Sequence, residues 1–132
     1  KDFQQLQIIK KMVEKHALPV KIKGCDIYRE EDGLAMSSRN TRLTKEHRKI
    51  APFIYKTLKN AKKKFGINSA VEVTEWVQKQ FQKHPLLELE YFTIANEKTL
   101  ETIVKKESGY KYRAFIAVFA GEIRLIDNIR LK

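Results

Sequence analysis

The sequence predicts an α+β fold: two helices and a three-stranded antiparallel sheet over residues 40–132, preceded over residues 1–39 by a helix and a strand that read as the last unit of an α/β sheet. Three observations predict it. Apolar residues recur at helical spacing in Phe3 to Val13, in His47 to Phe65 and in Ala70 to Phe81. After Pro85 the period changes to two, in successive β-rich runs. The change from an α/β order to helix, helix and strands falls near Arg39 to Leu43, which marks a domain or hinge boundary there.

Taken in order, Asp2 followed by Gln5 has the pattern of a capping box. Phe3, Leu6, Ile9 and Val13 then form one stripe that runs to about His16, with Pro19 closing the helix. Val20, Ile22, Cys25 and Ile27 in VKIKGCDIY predict a strand. REEDGLAMSSRN joins Asp32–Gly33 turn chemistry to small and polar residues and predicts a loop or lid edge, open enough to be among the least ordered parts of the chain. Thr44 is the expected N-cap of a basic helix whose apolar side carries Ile50, Ala51, Ile54, Leu58, Ala61 and Phe65. Pro52 has no amide to donate, so it should kink that helix or move its start, and Gly66 stops it. Ser69 and Glu72 form a second capping box for a helix that lasts until His84–Pro85. LLELEYFTI, GYKYRAFIAVF and EIRLIDNI predict three strands, the last two joined at an Ala120–Gly121 turn, and NEKTLETI a turn or short helix.

The chain has 132 residues, with 27 Lys+Arg against 16 Asp+Glu and a net charge of +11. The excess is local, since residues 40–66 hold nine basic residues against one acidic. A lysine-rich side of an amphipathic helix reads as a solvated face; the alternative is a basic α+β nucleic-acid-binding module using that face on phosphates. One Cys leaves no intrachain disulfide, no signal peptide is evident, and the longest apolar stretch, Ala114 to Ala120, is far short of a membrane span. These features point to a cytoplasmic protein with no membrane and no nucleic-acid partner. A chain that opens on Lys1 and directly on a helix looks like a piece of something longer.

His16, His47 and His84 are far apart and Cys25 stands alone, so no metal site is expected. Ser37 and Ser38 lack the glycines of a nucleophile elbow. The run KYRAFIAVF mixes basic and aromatic residues but lacks the glycine of an RNA-recognition strand, so core packing of Phe115 and Phe119 is expected. Met36–Ser37–Ser38–Arg39–Asn40 is more informative, because two hydroxyls, several amides and a guanidinium in succession are what a triphosphate needs. Lys1 and Asp2 stand at a helix N-terminus, which favours anions, although Asp2 and Gln5 also read as its caps.

KDFQQLQIIKKMV, REEDGLAMSSRN, LEYFTIANEKTLE and RLIDN resemble, in order and spacing, the C-terminal half of the pantothenate synthetase (pantoate–β-alanine ligase) family. That resemblance implies a Rossmann-like nucleotide-binding domain, whose last helix and strand and phosphate loop would be residues 1–39, and a lid domain at 40–132. It implies condensation of pantoate with β-alanine on the route to coenzyme A, through pantoyl adenylate, with release of AMP and pyrophosphate. Met36, Ser37, Ser38 and Arg39 would form a phosphate-gripping loop comparable to the Met-Ser-Lys-Ser loop of class I aminoacyl-tRNA synthetases. Lys1 and Arg39 would act on phosphate charge during adenylation, Asp2 would hold the ATP ribose, Tyr28 would offer backbone to the adenine, and Gln5 would bind pantoate. Mg²⁺ ligands and a homodimer contact would belong to the N-terminal half, so the chain alone would be inactive. Phe3 departs from the family's usual Tyr, and Asp26 and Tyr28 from its Pro and Val.

Overall fold

Pro52 divides the basic segment into two helices, as its missing amide requires. α2 (Lys45–Ile50) is capped by Thr44, whose hydroxyl accepts from the His47 amide at 3.2 Å, and α3 (Phe53–Phe65) begins just after the proline. This computed structural model describes residues 2–103 and 105–132. α3 buries Ile54, Thr57, Leu58, Ala61 and Phe65 and leaves Lys56, Lys59, Lys62 and Lys63 exposed, so the basic residues form an outward face. α4 (Ala70–Gln82) starts from the expected reciprocal cap between Ser69 and Glu72 and buries Ala70, Val73, Val77 and Phe81.

The sheet runs in the order β1 (Leu87–Asn96), β2 (Tyr112–Ala120), β3 (Ile123–Arg130), with both pairs antiparallel. Its inner face lies under α3 and α4. There Phe92, Ile94, Ala114, Ile116, Val118 and Leu125 close the core against the buried helix residues. Burying an aliphatic side chain of this size contributes about 1.5–3 kcal/mol, whereas an exposed ion pair contributes about 0–1 kcal/mol. The core, not the surface charge, therefore holds the fold together. Gly121 takes φ +65°, the left-handed region the tight β2–β3 turn uses, and a side-chain carbon there would meet the His47 ring at 3.2 Å.

β1 departs from plain alternation. The register with β2 slips between Leu89 and Tyr91, so Glu90 is an extra, bulged residue. Leu87 and Leu89 face inward before the bulge, Phe92 and Ile94 after it. Beyond Asn96 the chain makes a turn in which the Asn96 carboxamide oxygen accepts from the amides of Lys98 and Thr99 at 2.8 and 3.1 Å. It then pairs back on β1 at Ala95 and Thr102, so NEKTLETI is a turn and not a helix.

α1 (Phe3–Lys15) lies on the outer side of the sheet and buries none of its residues completely. Its anchor is Phe3, held between the Arg113 guanidinium at 4.1 Å and the Phe115 ring at 5.9 Å. Phe115 is buried as expected, but on this outer face, and Phe119 is half-buried. VKIKGCDIY corrects the sequence reading: residues 20–28 join no sheet among the described residues. A strand exists only through its ladder, and among the described residues none of the three strands pairs with this segment.

Candidate functional site

The segment from Tyr28 to Arg42 is more structured than a free lid edge. Gly33 donates to the Glu30 carbonyl at 2.9 Å, Glu30 to Leu34 at 2.8 Å and Met36 to Tyr28 at 2.9 Å, which makes a tight hairpin with an Arg29–Ala35 bridge. Leu34 and Ala35 are buried, and Leu34 belongs to the main core. The hairpin leads into a short 3-10 helix (Ser38–Arg42) that the sequence reading missed. Ser37 caps it, its hydroxyl accepting from the Arg39 amide at 3.2 Å. Asn40 is buried beneath, its amide group donating to the Ala35 carbonyl at 3.0 Å. Its carboxamide oxygen has no partner among the described residues.

Two arginines tie this segment to β3. Arg29 pairs with Asp127 through two bonds of 2.7 and 3.0 Å, and Arg39 donates to the Arg124 carbonyl at 3.2 Å. The Arg124 side chain bonds Glu90 in the β1 bulge at 2.6 Å, which raises its pKa above the usual arginine value. Met36, Ser38 and Arg39 are exposed and Ser37 partly so; the amides of Met36 and Arg39 are already bonded within the segment, so what it offers to a ligand is the Ser37 and Ser38 hydroxyls and the Arg39 guanidinium.

A cleft of about 720 Å³ opens between α1, residues 23–29 and the far ends of β2 and β3. Asp2 and Gln5 line it, opposite Arg113, Asn128 and Arg130. The Asp2 carboxylate accepts from the Gln5 amide at 2.9 Å, so capping and cleft-lining are compatible. Glu97 gathers the arginines through one oxygen, with Arg113 at 2.8 Å and Arg130 at 3.1 Å, and Arg113 also donates to the Asn128 side chain at 2.6 Å.

The expected site residues thus fall into two groups. Asp2 and Gln5 share the cleft, whereas Met36, Ser37, Ser38 and Arg39 lie toward Arg124, four residues and roughly 13 Å along β3 from Asn128 at strand rise. Tyr28 lines neither; its side chain is exposed and its carbonyl is engaged by Met36. Lys1 lies outside the described residues. Arg29, Glu97, Arg113, Asp127 and Arg130 were not singled out from sequence, although Arg29 opens REEDGLAMSSRN and Asp127 sits in RLIDN.

A family model described as pantoate-beta-alanine ligase matches residues 1–130. The chain belongs to the pantoate–β-alanine ligase family. Within it, the chain is 57% identical to a pantothenate synthetase of Christiangramia forsetii over 99% of its own length and 46% of that protein. To the Porphyromonas gingivalis pantothenate synthetase it is 43% identical over 98% of this chain and 46% of that one. It spans about half the length of the curated relatives it matches and is the C-terminal portion. Among solved members of the ligase family, the Thermus thermophilus pantothenate synthetase superposes at TM-score 0.89 with 35% identity, over 99% of this chain and 47% of that one. A Francisella tularensis pantoate-beta-alanine ligase, complexed with beta-gamma ATP and beta-alanine, superposes at 0.65 with 29% identity, over 99% of this chain and 41% of that one.

Proposed function

We propose that this chain supplies the lid and one wall of the ATP site of a cytoplasmic pantoate–β-alanine ligase. Family membership supports the chemistry; the observation that carries this chain's part in it is the accessible run of hydroxyls and guanidinium from Ser37 to Arg39, held on β3. Residues 1–39 go with the nucleotide-binding domain and residues 40–132 with the lid.

In the first step a pantoate carboxylate oxygen bonds to the α-phosphorus of ATP as the bond to the β-phosphate breaks and pyrophosphate leaves. Arg39 and Lys1 meet the charge that builds on the phosphate oxygens, Ser37 and Ser38 donate hydrogen bonds without changing protonation, and Met36 borders the nucleotide. Asp2 accepts from the ribose hydroxyls with the oxygen its cap leaves free, Gln5 orients pantoate, and Tyr28, whose carbonyl is engaged by Met36, offers its backbone amide to the adenine. In the second step the β-alanine amine attacks the acyl carbon, the bond to AMP breaks, and the amine loses a proton.

Mg²⁺ accompanies ATP in the family reading, and its ligands and the homodimer contact are assigned to the N-terminal half. Among the described residues no three carboxylate, His or Cys groups converge. In the same residues no helix is long and apolar enough to cross a membrane.

A fusion of this chain behind the N-terminal half of the Christiangramia relative tests the reading. Pyrophosphate release from ATP, pantoate and β-alanine is expected from the fusion at about 1 s⁻¹ or faster and not from the chain alone. Full turnover by the chain alone, or a fusion that folds and stays inert, would overturn it.

A further inference from the structure

We infer that Arg29 and Asp127 are positioning residues: their ion pair, stacked on Tyr55, is a latch that sets where Ser37, Ser38 and Arg39 meet a phosphate group. The inference rests on the nucleotide reading above and deepens it. Arg29 and Asp127 stand 98 residues apart, yet they meet with fork geometry, Nη1 to Oδ2 at 2.7 Å and Nη2 to Oδ1 at 3.0 Å. The Arg29 Nη1 also donates to the Gly33 carbonyl at 3.1 Å, inside the hairpin turn itself. One guanidinium therefore grips the strand and the loop together.

Tyr55 of α3 completes the clasp. The Arg29 guanidinium lies 3.6 Å from the centre of its ring, and the same ring fills the space a side chain on Gly33 would need. The side chains of Arg29 and Asp127 are 18% and 3% exposed, so water competes poorly for either partner.

Arg29 borders the cleft, but both of its terminal nitrogens are occupied by Asp127 and Gly33. It acts on a ligand through the loop and not by touching it. The first turn of chain beyond the latch carries Met36 and Ser37, and Arg39 then returns to the same strand at Arg124. A segment pinned at both ends on one strand presents its donors at fixed spacing, which is what preorganised phosphate binding demands. A lysine at position 29 keeps the charge but neither the fork nor the flat stack.

Amide hydrogen exchange and chemical-shift titration with Mg-ATP, both on the 132-residue chain, decide it. In Arg29→Lys, exchange at residues 33–42 is expected to rise about tenfold or more while β2 amides change by less than about twofold. The shifts that ATP causes at residues 36–39 should then need at least about fivefold more nucleotide. Tyr55→Leu should reproduce both effects and Tyr55→Phe neither, a pair that leaves no unpaired buried charge and so guards against a latch variant that fails to fold. Unchanged exchange at 33–42, or acceleration spread equally over β2, overturns the latch. Absence of any ATP shift at 36–39 in the unaltered chain overturns the nucleotide reading and the positioning role with it, even where exchange still reports a clasped loop.

Discussion

Arg48 reaches back from α2 to Asp32 in the turn before it, Nη1 to Oδ2 at 2.7 Å and Nη2 to Oδ1 at 3.3 Å. The hydrogen bond from Arg48 holds the Asp32 carboxyl below its ordinary pKa, outweighing the opposing effect of partial desolvation. Because the folded value is the lower one, the pair stabilises the fold above the usual aspartate range near pH ~4 and loses that contribution as pH falls through the folded value. The Asp32 side chain is 43% exposed, so screening limits the gain to about 1 kcal/mol at most. Asp32→Asn should therefore lower stability slightly at neutral pH, and the gap to the unaltered chain should close in acid, as denaturant melts at stepped pH will report.

Gly33 sits at φ +94° with the Tyr55 ring 2.6 Å from where a side-chain carbon would go. Gly109, at φ +88°, has nothing within 4 Å. Both alanine variants bear the backbone cost of about 1 kcal/mol, but only Gly33→Ala adds a clash, for a total of about 2–3 kcal/mol. Thermal melts of the two variants side by side should separate the terms.

Leu58 is 0% exposed in the middle of α3. Leu58→Ala is expected to cost about 2–5 kcal/mol, since the surrounding helices and sheet close only part of the cavity. Lys62→Ala, on the outward face of the same helix, should stay within about 0.5 kcal/mol.

Arg39→Ala in the fusion enzyme should cut the adenylation rate by about 10² or more with melting nearly unchanged, because the guanidinium is exposed and gives up a single bond, to the Arg124 carbonyl, that pins the loop and not the core. Ser37→Ala should lower the rate less and also loosen the 3-10 helix it caps, by about 0.5–1 kcal/mol. Single-turnover pyrophosphate release together with a melt distinguishes the two; equal loss of activity and stability in Arg39→Ala would make that residue structural.

Signals that act within four residues were legible in the sequence. Ser69 with Glu72, Thr44, the break at Pro52 and the Asp32–Gly33 turn each declare themselves through local hydrogen bonding or a fixed dihedral. The inward residues of α3 and α4 followed from period alone. Residues 20–28 did not, because a strand needs a neighbour and apolar spacing does not supply one. Nor did the pairs Arg29–Asp127 and Arg113–Glu97, whose members meet only after the sheet has formed. The motif blocks were readable in the sequence, but not the Arg29–Asp127 clasp beside one of them.

The bulge in β1 has a bearing on chain length. Glu90 is the extra residue in its ladder, so deleting it would leave Leu87, Leu89, Phe92 and Ile94 still pointing inward, with Tyr91 outward between them. Deleting Thr93 instead would turn Ile94 out of the core. Position 90 is thus where this strand can shorten by one residue without reshuffling its faces, and the change would be felt elsewhere, as Arg124 lost the carboxylate that steadies it beside the carbonyl holding Arg39.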